Sequence, residues 1–193
     1  MLFAGIMCSC GGESEKTSTE TASSSEKTSA PAINNATQAS ISNVLDAYFE
    51  LKNALVEADT LAASNASLKL AALTDSISTE GITDSSLINT IQNLSGTISS
   101  EAIALPQEAN ITDKRRSFSM IGENLYPLLQ AVKYQGGKLY QQMCPMAFNE
   151  TEAAYWISNS REVINPYLGK KHPKYAAGML HCGEVKDSIN FHP

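Results

Sequence analysis

A mainly α fold, an antiparallel four-helix bundle followed by a small irregular or β C-terminal module, is what three features of this 193-residue chain predict. Apolar side chains recur every three to four positions in successive segments between residues 41 and 135. Polar turns punctuated by Gly, Asp or Pro separate those segments. After Gly137 the helical period is lost, and aromatic, proline and glycine residues become frequent. The organisation expected is a truncated leader over residues 1–10, a disordered tether over 11–40, the bundle over 41–135 and a C-terminal module over 136–193.

The first helix is expected from residue 41, with Ile41, Val44, Tyr48, Leu51, Leu55 and Ala58 on one stripe. Ala66, Leu70, Leu73 and Ile77 give the second its buried face, and Gly81 lies near its end. Thr83-Asp84 offers an N-cap for the third, in which Leu87, Ile91, Leu94 and Ile98 repeat the spacing. Pro106 marks the next break. The fourth carries Phe118, Ile121, Leu125, Leu128 and Val132, with Pro127 expected to kink it or force a local irregularity and Gly136-Gly137 to end it. Each stripe alone would face water, so the four must pack on one another. None contains the Glu-x-x-His pairs that build a di-metal centre in a bundle core, and residues 41–135 are assigned no catalytic role. In the C-terminal module, Leu139–Met143 and Ala154–Ile157 read as short strands and Asn165–Gly169 as a turn.

Residues 1–10 are apolar and small, without the basic start of a complete signal peptide. Cys10 follows Ser9 and precedes Gly11-Gly12, as the lipidated cysteine of a bacterial lipoprotein does, with Cys8 a weaker alternative. Residues 11–40 are mostly Ser, Thr, Glu, Lys, Ala and Asn with no aromatic residue, a composition that cannot bury enough apolar surface to order itself. No later segment approaches the roughly 20 apolar residues needed to span a bilayer. The expectation is a protein of the cell envelope, held to a membrane by a lipid on Cys10.

The chain carries a formal net charge of −6, unevenly spread: residues 1–132 hold 7 basic and 15 acidic side chains, residues 133–193 hold 7 and 5. Neither part has a dense basic stripe, which argues against nucleic acid as a partner. The one basic run, Lys114-Arg115-Arg116, reads as the solvated face of a helix.

The chemistry-bearing residues gather near the C-terminus. Of the four cysteines, the two outside the leader are Cys144 and Cys182, within Met143-Cys144-Pro145-Met146 and Met179-Leu180-His181-Cys182-Gly183. Thiolate, thioether and imidazole are the donor set that suits Cu(I). Cys144 and Met146, two apart in an extended segment, point to one side, and Met179 and Cys182 would share a face of a helical turn. The same two cysteines could instead form a structural disulfide. A zinc site from Cys144, Cys182, His172 and His181 fits no common cysteine spacing. His172 and His192 read as solvated, and Trp156 and Tyr167 as packing residues. Gly136-Gly137-Lys138 lacks the spacing of a phosphate loop, and no local signature supports Cys-His catalysis.

Several of these segments also resemble a known family. Cys144-Pro145-Met146-Ala147, Ala154-Tyr155-Trp156-Ile157-Ser158, Ile164-Asn165-Pro166-Tyr167-Leu168-Gly169 and Met179-Leu180-His181-Cys182-Gly183-Glu184-Val185 are similar to the motifs of a bacterial domain of unknown function. Tyr48–Val56 and Arg116-x-Phe118 add to the likeness, which covers roughly residues 41–190. That domain occurs in exported lipoproteins and at the end of periplasmic adaptor subunits of copper and silver efflux systems. The resemblance implies a helical bundle with a C-terminal module and a link to extracytoplasmic heavy metals. Together with the donor set it gives the functional expectation: a metal-binding protein, not an enzyme. Cys144, Met146, Met179 and Cys182 would be its ligands, with His181 in reserve, and Cu(I) would pass to an envelope partner by ligand exchange. The alternative is an interaction lipoprotein stapled by a Cys144–Cys182 disulfide.

Overall fold

The computed structural model describes residues 33–191. Cys10 and its leader, the tether up to residue 32, and His192 lie outside the described residues. Four helices come first: α1 (Asn35–Val56), α2 (Thr60–Asp75), α3 (Ser85–Ala104) and α4 (Ile111–Ala131), with a 3-10 turn at Leu105–Gln107 before α4. Three strands follow: β1 (Leu139–Phe148), β2 (Glu152–Ser158) and β3 (Glu184–Ile189).

Each α-helix starts on an Asn or Asp whose side chain accepts the first free backbone N–H groups, a cap worth about 1 kcal/mol. Asn34 accepts from Thr37 at 2.8 Å, and Asp59 from Ala62 at 2.9 Å. Asp84 accepts from Ser86 and Leu87, as its sequence position predicts, and Asn110 from Thr112 and Asp113. The cap at Asn34 starts α1 inside the segment expected to be tether, so residues 35–40 belong to the helix.

Helix ends follow a similar local logic. At the end of α1, Ala58 takes a left-handed conformation (φ 53°), while Asp59 donates its N–H to the Ala54 carbonyl and Ala58 donates to that of Leu55. The end of α4 repeats this arrangement, the Schellman closure, with Lys133 left-handed (φ 45°), Tyr134 donating to Leu129 and Lys133 to Gln130. Gly136-Gly137 therefore does not end α4. The buried pair Leu129 and Tyr134 closes the last turn first, so apolar contact outweighs the preference for glycine. Pro127 lies inside α4 and the helix continues past it to Ala131.

The basic run is not a solvated face. Lys114 and Arg115 are buried, and Arg116 is half-buried. Lys114 Nζ donates to the carbonyls of Leu105 (2.9 Å) and Pro106 (3.1 Å), and Arg115 Nη2 to that of Leu55 (3.1 Å). Leu105 and Pro106 lie where α3 passes into the 3-10 turn and Leu55 in the last turn of α1, and carbonyls at such helix C-termini carry partial negative charge. The two cations are drawn inward by helix ends that sequence spacing does not reveal.

Successive helices pack on one another, and α4 also packs on β2. The sheet is antiparallel in the order β2-β1-β3, with Tyr140 opposite Ser158 on one side and Ser188 on the other. Both strands read from the sequence are present and longer than expected. The third, Glu-Val-Lys-Asp-Ser-Ile, was not foreseen: only Ile189 of it is buried, so it shows little apolar alternation. One core spans helices and sheet. Tyr48 stacks on Phe118 (centroids 5.0 Å), and Tyr167 meets Phe118, Phe148 and Trp156 at 5.3–5.9 Å. Trp156 and Tyr167 are buried, in keeping with their reading as packing residues.

Candidate dithiol site

Cys144 lies in β1, the central strand, opposite Ala154 of β2, and is wholly buried. The regular pairing breaks between Cys144 and Phe148, a bulge-like irregularity at the strand's far end. Cys182 arrives from a different part of the chain. It ends a turn in which its N–H donates to the Met179 carbonyl at 3.0 Å, two residues before β3 starts.

Asn165 fixes that turn. Its backbone N–H donates to the Leu180 carbonyl (2.8 Å) and its Nδ2 to the Cys182 carbonyl (2.7 Å). Its Oδ1 accepts from the N–H groups of Tyr167 (2.8 Å) and Leu168 (3.0 Å), bending the chain into the turn expected at Asn165–Gly169. Gly183, at φ +139°, then lets the backbone pass against β1: a Cβ there would stand 2.7 Å from the Met143 carbonyl oxygen and 3.0 Å from the Trp156 ring. On the other side of β1's neighbourhood, Gln142 is fully buried and its Nε2 donates to the carbonyls of Ser160 and Glu162, both at 3.0 Å, holding the loop after β2.

The outcome is a pair of free thiols with Cys144 Sγ and Cys182 Sγ 3.1 Å apart. Burial first, then the Cys144 thiol beside it, push the Cys182 thiol up to about 11. At neutral pH Cys182 holds its proton, which makes it a poor nucleophile and a weak agent of thiol exchange.

The other predicted ligands are placed less tightly. Met179 is half-buried in the turn that delivers Cys182 and packs against the core. Met146 is also half-buried, but it borders a cavity beside Arg115 and Phe148. His181 is exposed, with Nδ1 2.8 Å from the Val163 carbonyl oxygen. A proton on Nδ1 would make that contact a hydrogen bond and leave Nε2 with its lone pair. His172 is half-buried, stacked on Tyr175 at 4.9 Å, and it borders the same cavity as Met146. Among the described residues, no three His, Cys, Asp or Glu side chains converge as metal ligands would. What the fold brings together is two sulfurs.

Sequence reasoning passed over Asn165 and Gly183 as the residues that deliver Cys182. The signal was present in Asn-Pro, a turn initiator, and in the glycine that directly follows the cysteine. Arg115 was misplaced to the surface, and nothing local marked it as buried.

Compared with known families, residues 44–137 match a family model described as Protein of unknown function (DUF3347). The matched segment runs from within α1 to Gly137, so it covers the helices and stops before β1. It agrees with a domain of unknown function over the helical part, and the cysteine-bearing motifs lie beyond it. No curated protein matches the chain, and no solved structure does.

Proposed function

We propose that the Cys144–Cys182 pair captures a soft metal ion, Cu(I), outside the cytoplasm. The chain would be a lipid-anchored envelope protein acting in metal homeostasis. The observation that carries this reading is the 3.1 Å approach of two free thiols from distant parts of the chain. Two all-sulfur donors without convergent carboxylates or imidazoles suit Cu(I) better than zinc or harder ions. Met179, in the turn that ends at Cys182, and Met146, two residues after Cys144, would add thioethers, with the lone-pair nitrogen of His181 as a further donor. The ion is cargo: it would be held and handed to an envelope partner such as a metal efflux system, with no bond of a substrate broken. In this reading the helices form an antiparallel bundle that acts as the rigid support for the sulfur pair.

A second reading is favoured by the burial of Cys144 and the bracing of Cys182 by Asn165. Oxidised, the pair would close a structural disulfide across the C-terminal module, which would then serve as an interaction surface.

The discriminating experiment is native mass spectrometry of the protein purified without reductant or chelator, then offered Cu(I) anaerobically. One retained copper, lost in both Cys144→Ser and Cys182→Ser, is the expected result. Unchanged Cu(I) affinity in Cys182→Ser overturns the metal reading. A linked pair that takes up no copper after mild reduction establishes the staple instead.

A further inference from the structure

Arg115 carries a charge into the interior, being 3% exposed. Its Nη2 donates to the Leu55 carbonyl at 3.1 Å, but its Nε has no hydrogen-bond partner. Among the described residues no carboxylate reaches it at ion-pair distance. Burial lowers its pKa only to about 10, so the guanidinium stays cationic at neutral pH. A buried cation without an anion, and with an orphaned N–H, carries a large desolvation cost that one carbonyl hydrogen bond offsets only in part.

The same side chain borders a cavity of about 260 Å³ between the start of α4, the β1–β2 hairpin and the loop from Tyr167 to Tyr175. Ile111, Met146, Phe148 and Leu168 give it an apolar wall. His172 gives it a polar one: Nδ1 accepts the backbone N–H groups of Lys174 (3.2 Å) and Tyr175 (3.3 Å), so the ring proton belongs on Nε2, as a donor. The single carboxylate of the lining, Glu150, is already ion-paired with Lys174 at the surface. The cavity is thus short of one negative charge and smaller than the usual site for a drug-sized ligand.

We propose that this cavity binds a small organic carboxylate, its head group on the Arg115 guanidinium and its apolar body against Met146 and Phe148. The planar guanidinium fork matches a carboxylate in a low-dielectric site, and the apolar wall selects an acid with a hydrocarbon body over inorganic anions. Neither cysteine lines the cavity, so it stands whether or not the thiol pair takes copper; Met146 is the one residue that both readings use.

Calorimetric titration of the full chain with acetate, phenylacetate and 4-methylpentanoate tests this, with 4-methylpentanamide and inorganic phosphate as controls. Saturable binding of 4-methylpentanoate or phenylacetate is expected, with the amide bound at least about tenfold more weakly. Met146→Trp, which fills the cavity and leaves Arg115 in place, should abolish binding without changing the far-UV circular dichroism. Arg115→Lys, which keeps a donor for Leu55, should weaken it about tenfold or more. The proposal is overturned if none of the three acids binds, if acid and amide bind alike, if phosphate binds more tightly than the organic acids, or if Met146→Trp binds as the parent does.

Discussion

Asn165 shows how much one side chain can organise. Fully buried, it both bends its own segment through Oδ1 and holds the Cys182 carbonyl through Nδ2, 17 residues away. Replacing it with Ala leaves the Cys182 carbonyl and two backbone N–H groups without partners in the interior. Asn165→Ala should therefore cost about 2–3 kcal/mol in urea unfolding. It should also loosen the turn that buries Cys182. In the reduced parent protein, alkylation of Cys182 by iodoacetamide should be slow at pH 7 and climb through pH 9 towards pH 11, because only the thiolate reacts and its pKa is raised. In the variant that climb should begin at lower pH; an unchanged profile would show that Asn165 does not govern the thiol's surroundings. Asn165-Pro166 was legible as a turn, since the signal is local. Its grip on Cys182 was not, because nothing in five residues states which distant carbonyl will come to meet them. Arg115 failed for the same reason: a cation inside a helix pattern defaults to solvent unless the carbonyls it serves, here at the end of α1, are known.

At the scale of elements, the helices were legible and the sheet only in part. Period and capping are short-range properties, so all four helices could be found, although α1 starts at Asn35 and not at the expected residue 41, whereas β3 owes its existence to the free edge of β1 and carries little pattern of its own. The interface between α4 and the sheet depends on Tyr167, whose ring meets Phe118, Phe148 and Trp156 and whose hydroxyl donates to the Tyr155 carbonyl. Removing the ring and removing the hydroxyl test different contributions. Tyr167→Ala should cost about 3–5 kcal/mol through the cavity it leaves. Tyr167→Phe should cost only about 1 kcal/mol, for one lost hydrogen bond. Equal losses in denaturant titrations of the two variants would mean that the hydroxyl, not the packing, joins the elements. Arg116 supplements the contact from the surface, over the Phe148 ring at 4.3 Å and paired with both carboxylate oxygens of Glu152 at 2.9 and 3.2 Å.

For the whole molecule, the helical segment matched by the family model is not where its own interactions end. Tyr48 of α1 accepts a hydrogen bond from the N–H of Ile157 at 3.1 Å, and the last carbonyl of α1, Val56, accepts the N–H of Lys170 at 2.8 Å. Gly169, left-handed at φ +60°, allows that approach: a Cβ would stand 2.7 Å from the Val56 carbonyl oxygen. A fragment ending at residue 137 should therefore keep helical circular dichroism but unfold with a shallower denaturant dependence than the full chain, having lost surface burial. A sharp transition at unchanged midpoint would show that the helices stand alone. The placement of Lys170 has a further meaning for the chain as it is made. The last carbonyl of α1 receives its hydrogen bond from a residue made long after the helix itself. Helix α1 can form as soon as it is made, but its last carbonyl stays open until synthesis has run on to Lys170 and the loop that carries it exists.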